Sequence, residues 1–166
     1  LSPALNILIA DDDEADLLLL RRAFLRVEPY PQLRAVNNGS QLLDYLSGKA
    51  PYDDEQRYPL PDLIIMDLTL PRVTGFEVLE FMKSHRNLRD IPVCILTGND
   101  NPAHKERATI LGACCYYLKT GVTEDLANIL RAVTTKCVQD GCGPGPEIFR
   151  PEQRQSERNT RPDISP

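Results

Sequence analysis

Four apolar runs in this 166-residue chain each stop at side chains able to do chemistry. LNILIA (5–10) is followed by Asp11, Asp12 and Asp13, and LIIM (63–66) by Asp67. IPVCIL (91–96) is followed by Thr97, and CCYYL (114–118) by Lys119. If these ends converge, carboxylates meet an ammonium and a hydroxyl. Two like charges about 4 Å apart repel by roughly 4 kcal/mol at an effective dielectric near 20, so Asp11, Asp12 and Asp67 together need a cation or a raised pKa. Hard carboxylate oxygens suit Mg²⁺, which takes one or two carboxylates along with phosphate oxygens. A carboxylate nucleophile, a hard cation, a lysine and a hydroxyl make a phosphoryl-transfer site. Asp67 would attack in line, the cation and Lys119 would offset charge on the equatorial oxygens, and the product would be an aspartyl phosphate. Taken singly, each residue has an ordinary reading: helix start, turn former, strand-end hydroxyl, solvated charge. Their joint occurrence at successive strand ends favours chemistry.

The elements that must position this set are five strands alternating with five helices. The strands are 5–10, 33–36, 63–66, 91–96 and 114–118. Leu17, Leu20, Phe24 and Val27 give the first helix, with Asp13 or a neighbour as cap and Pro29 and Pro31 as its stop. Leu42, Leu43, Tyr45 and Leu46 give the second. Thr74 and Glu77 form a capping box opening the third, with Phe76, Leu79 and Met82 turned inward. Asn101 followed by Pro102 starts the fourth, which ends near Gly112. The fifth is expected to be capped by Thr123, with Leu126, Ile129, Leu130, Val133 and Cys137 on one face. Residues 49–60 are irregular and are expected to be mainly a solvated loop, with a docking loop as the other reading. Strict alternation implies a parallel α/β sheet covered on both faces, with ligands bound outside the carboxyl ends of the strands.

Composition narrows the function classes. A net charge of −5 opposes nucleic acid as the main partner. Cys94, Cys114, Cys115, Cys137 and Cys142 lack metal-type spacing and read as reduced thiols in the cytoplasm. No apolar run approaches the roughly 20 residues of a membrane span. Residues 1–140 are read as one domain and 141–166 as a polar Pro/Gly/Arg-containing tail too short for a DNA-binding unit.

The motifs ILIADDD, PDLIIMDLTLPRVTGFEVL, IPVCILT and YYLK in this order resemble the receiver domain of two-component response regulators, from Leu5 to about Val138. The resemblance implies a flavodoxin-like, doubly wound five-stranded parallel sheet in the order 2-1-3-4-5. It implies that Asp67 accepts a phosphoryl group from the phosphohistidine of a sensor histidine kinase. Mg²⁺ would sit on Asp12 and Asp67, with Asp11 helping and the backbone carbonyl of Thr69 as a further ligand. Thr97 would be the switch hydroxyl, Tyr116 the aromatic that changes rotamer with it, and Lys119 the site lysine. Gly98 is the small residue after the switch hydroxyl.

Two positions depart from the family pattern. Thr120 stands where most receivers have a cis-proline after the lysine. Thr69 replaces an asparagine at a position that, with Asn99, tunes dephosphorylation. The long segment before the central strand, together with Lys119-Thr120, resembles stand-alone regulators paired with phytochrome kinases. Output is then a phosphorylation-dependent protein contact, with self-association as a homodimer or kinase docking through the face of the fourth helix, fifth strand and fifth helix as the expected forms. The chain is read as a signalling switch, not a turnover enzyme. Two alternatives stand beside this reading. One is a receiver-like scaffold that is never phosphorylated. The other is a haloacid-dehalogenase-type phosphatase with Asp11-x-Asp13 as its motif, which would need an acidic pair on a strand after Lys119.

Overall fold

The computed structural model describes residues 4–28 and 30–136. Pro29, Cys137, Cys142 and the tail expected over 141–166 lie outside the described residues.

The chain alternates strand and helix throughout: β1 (Asn6–Ala10), α1 (Glu14–Phe24), β2 (Gln32–Val36), α2 (Gly39–Leu46), β3 (Leu63–Met66), α3 (Gly75–Ser84), β4 (Val93–Thr97), α4 (Pro102–Ile110), β5 (Cys115–Leu118) and α5 (Thr123–Thr134). All neighbouring strands pair in parallel, in the order β2-β1-β3-β4-β5. The chain leaves β1 toward one sheet edge and returns to the other side of β1 as β3. That reversal puts a crevice at the carboxyl ends of β1 and β3.

Side chains alternate across the pleat, so each apolar strand feeds two cores. Ile7, Ile9, Leu63, Ile65, Leu96 and Tyr117 pack against α1 and α5. Leu8, Ala10, Ile64, Met66, Ile95 and Tyr116 pack against α2, α3 and α4. Burial on both faces explains why β3 and β4 read as continuous apolar runs rather than alternating ones.

Asp13 caps α1, its carboxylate accepting from the amides of Ala15 and Asp16. Asn38 and Asn101 cap α2 and α4 in the same way, and Thr74 and Glu77 complete their capping box. Thr123 is not a cap. It is the first residue of α5, whose N-cap is Val122 and carries no side-chain bond. Thr120 takes the local role instead, its hydroxyl accepting from the Val122 amide at 3.4 Å. Two further expectations change. Helix α1 ends at Phe24, well before the prolines, and Val27 is buried in the turn that follows. On α3, Val78 joins Leu79 and Met82 in the core, while Phe76 sits half-buried at the flank. The 49–60 loop folds back on the domain. Most of its residues are exposed, as expected, while Tyr52 and Tyr58 meet the Tyr45 ring with centroids 5.1 and 5.9 Å away.

Candidate functional site

Asp11, Asp67 and Lys119 share one backbone arrangement. Each is the first residue past its strand, and its amide still donates to the last residue of the neighbouring strand. Asp11 N–H donates to Val36 O at 3.2 Å, Asp67 N–H to Ala10 O at 3.0 Å, and Lys119 N–H to Thr97 O at 2.8 Å. The sheet ladder therefore fixes where these three side chains begin. Gly75 adds a close approach: a Cβ there would lie 2.8 Å from Asp67 O and 2.9 Å from Leu68 Cα, so the start of α3 packs on the backbone that carries Asp67.

The convergence expected from the strand ends occurs. Lys119 Nζ lies 2.6 Å from Asp67 Oδ2 and 2.8 Å from Asp11 Oδ2. Carboxylate oxygens of Asp11, Asp12 and Asp67 lie within 4.8 Å of one another. Asp11 and Asp67 are buried and Asp12 is exposed, so the cluster opens to solvent on the Asp12 side. Asp67 Oδ1 accepts from both the amide and the hydroxyl of Thr69, each at 3.0 Å. The buried Thr97 hydroxyl is near enough to favour the ionised Asp67 carboxylate.

These contacts separate the two buried acids. Burial alone would raise the Asp67 carboxyl. Hydrogen bonds from Lys119 and Thr69, the lysine charge and the Thr97 hydroxyl outweigh it and hold Asp67 below the usual carboxylate range. For Asp11, burial prevails and pushes the carboxyl up, although Lys119 and the Asp13 amide oppose the rise. Lys119 is penalised by burial, yet its carboxylate partners keep its ammonium charged far above neutral pH. Asp67 is thus the acid of the buried pair whose ionised form the site favours more strongly.

Asp16 is a site residue that the sequence reading missed. From the first turn of α1 its Oδ2 meets Lys119 Nζ at 2.8 Å. Its sequence signal was position: it stands three residues after the Asp13 cap, where a capping-box acid would reach back to its own helix. Here it reaches across to β5. Asn99 was noticed only by resemblance and His104 not at all; the two pair at 3.2 Å. Tyr116 is 2 % exposed, and its hydroxyl donates to Asn99 O at 2.8 Å. The ring is inside the protein. The Lys119–Thr120 peptide is trans, since the one cis bond among the described residues is Ala50–Pro51. A Cβ on Gly98 would meet nothing within 4 Å, consistent with open space beside Thr97.

The donor set fits a hard divalent cation. Asp11, Asp12, Asp16 and Asp67 offset only one ammonium in their midst, and the clustered atoms are all carboxylate oxygen. No helix among the described residues is long and apolar enough to cross a membrane.

Comparison with known proteins agrees with this geometry. A model of the response regulator receiver domain matches residues 7–131. The probable methanogenesis regulatory protein FilR2 of Methanothrix harundinacea is 31 % identical over 140 residues, covering 84 % of this chain and 88 % of that one. The phosphorylated cyanobacterial phytochrome response regulator RcpA has a similar structure, with a TM-score of 0.73 and 28 % identity over 80 % of this chain and 93 % of that one. The Mn²⁺-bound form of response regulator Rcp1 superposes with a TM-score of 0.71 at 27 % identity, covering 81 % and 95 % of the two chains; Rcp1 is a protein of Synechocystis. With its 2-1-3-4-5 sheet and its carboxylates gathered around a lysine at the strand ends, the chain belongs to the response regulator receiver domain family.

Proposed function

We propose that Asp67 is the phosphoryl acceptor of this receiver and that a sensor histidine kinase is the donor. The observation that carries the reading is Asp67 itself: buried, ionised, tied to Lys119 at 2.6 Å and clustered with Asp11 and Asp12. In the transfer, the P–N bond of the kinase phosphohistidine breaks as an Asp67 carboxylate oxygen bonds to phosphorus. The electron pair of the broken bond returns to the departing imidazole. Asp67 enters without giving up a proton, because its carboxyl is held below the usual range. Thr69 orients the carboxylate through Oδ1. Lys119 and Thr97 would bind the arriving phosphoryl oxygens. Asp11, Asp12 and Asp67, with the backbone carbonyl of Thr69, would hold Mg²⁺, which supplies positive charge to the site and to the phosphoryl oxygens.

Thr97 and Tyr116 form the switch in this reading. A phosphoryl group on Asp67 draws the Thr97 hydroxyl to it, and the buried Tyr116 ring follows into the space vacated. Coupling of this kind is typically worth about 1–3 kcal/mol. We read residues 1–140 as the receiver and 141–166 as a polar tail. The protein acts in the cytoplasm as a switch loaded once per cycle, not as a turnover enzyme. The likeness to the phytochrome response regulator RcpA supports a phytochrome-type kinase as partner. The α4–β5–α5 face is the proposed homodimer surface; sedimentation showing a monomer at all concentrations, with and without a phosphate mimic, would remove the dimer. The acidic strand that the phosphatase reading needs after Lys119 is not among the described residues, where β5 is the last strand. Radiolabelled phosphotransfer from a panel of histidine kinases tests the assignment. Transfer to the wild type and none to Asp67→Asn is expected; equal labelling of both would refute it. A wild type that takes no label from any kinase would favour the scaffold reading.

A further inference from the structure

Asn99 joins three parts of the switch. Its amide N–H donates to Thr97 Oγ1 at 3.4 Å, its carbonyl accepts from the Tyr116 hydroxyl at 2.8 Å, and its side-chain Nδ2 meets His104 Nδ1 at 3.2 Å. Little else secures this stretch by burial, because Ala108 is the one buried residue of α4. His104 is itself held. Its ring stands edge-on to Phe76 of α3, centroids 5.4 Å apart. The Arg107 guanidinium covers Phe76 at 4.3 Å and pairs with Glu80 at 3.2 Å, which fixes α4 against α3. With the imidazole proton on Nε2, Nδ1 accepts from the Asn99 amide, and the hydrogen bond ties a loop residue to a braced ring.

We propose that His104 is a positioning residue for phosphoryl transfer. By anchoring the Asn99 side chain it holds the backbone that bonds both the Thr97 hydroxyl and the Tyr116 phenol. It acts through Asn99 and touches neither the acceptor nor the carboxylate cluster. The inference rests on Asp67 being the acceptor. A placed hydroxyl contributes to transfer only while its geometry is kept, so a slack Asn99 slows uptake.

The test is the rate of phosphate uptake from acetyl phosphate with Mg²⁺, followed by intact mass. The variants are His104→Phe, His104→Gln, Asn99→Ala and the double variant Asn99→Ala/His104→Phe. Loss of one neutral hydrogen bond predicts that His104→Phe slows uptake roughly three- to tenfold. Phenylalanine keeps the ring contact with Phe76, and glutamine keeps an acceptor, so His104→Gln is expected within about twofold of wild type. In the Asn99→Ala background, His104→Phe should add nothing. Wild-type uptake by His104→Phe, no rescue by glutamine, or full slowing that persists without the Asn99 side chain would each overturn the proposal. Those results leave Asp67 as acceptor intact. No uptake by the wild type would overturn both.

Discussion

Replacing Lys119 by methionine removes one charge and keeps most of the side-chain length. The lysine side chain is 17 % exposed, and its partners Asp11 and Asp67 are 3 % and 6 % exposed. Removing one partner of a buried ion pair typically costs about 3–5 kcal/mol, because a desolvated charge is left behind. Here two buried carboxylates lose their shared cation. Asp12 faces water, which moderates the loss, so about 3 kcal/mol is expected at pH 7 without metal. The assay is urea unfolding of wild type and Lys119→Met in EDTA and in Mg²⁺, across pH. A divalent cation bound only by the folded state should restore part of the deficit. The pH dependence follows from the signs. Lys119 has a raised pKa in the fold, so its contribution is fully present below about 10.4 and is lost as pH rises through the folded value. Asp67 has a lowered pKa, so its contribution is present above about 3.9 and is lost as pH falls through the folded value. Without Lys119 the strongest opposition to burial is lost and both buried acids shift toward protonation. The deficit of the variant should therefore shrink from pH 7 toward pH 4 and stay constant from pH 7 to 10. Equal stability of the two proteins in EDTA at pH 7 would refute this account of the cluster.

Other substitutions test neighbouring parts. Asp16 touches Lys119 at the same 2.8 Å as Asp11 but is 31 % exposed, so Asp16→Asn should cost no more than about 1 kcal/mol by the same unfolding assay. Asp12→Asn should leave stability in EDTA near wild type and weaken Mg²⁺ binding by calorimetry by about tenfold or more, the scale seen when metal-site partners are lost. Gly75→Ala pushes a Cβ to 2.8 Å from Asp67 O, an overpacking cost of about 1–3 kcal/mol against a helix-propensity gain of up to about 1 kcal/mol, so urea unfolding should show net destabilisation.

The sheet and most of the site were legible because one physical rule governs both. Strands covered on two faces must be apolar throughout, so the first polar residue after each run marks a strand end, and strand ends share one edge of the sheet. The convergence of Asp11, Asp67 and Lys119 follows from this rule. Asp16 and His104 escaped it because their partners come from other elements. Asp16 meets a lysine 103 residues away, and His104 matters only through the Asn99 loop. Thr123 was misassigned because a Thr-Glu-Asp start fits a cap equally well one residue inside the helix. Phe76 was expected in the core because its type is apolar, but Gly75, Val78, Leu79 and Met82 already fill the inward i, i+3, i+4, i+7 stripe. The 49–60 loop hid its aromatic contacts because Tyr52 and Tyr58 find Tyr45 only after the chain folds back.

The central claim is that Asp67 carries the phosphoryl group. Intact mass spectrometry after incubation with a small acyl phosphate and Mg²⁺ tests it most directly. The account predicts one added phosphate on the wild type, lost on adding hydroxylamine, and none on Asp67→Asn. An adduct of equal amount on Asp67→Asn, or no adduct on a wild type that binds Mg²⁺, would contradict it.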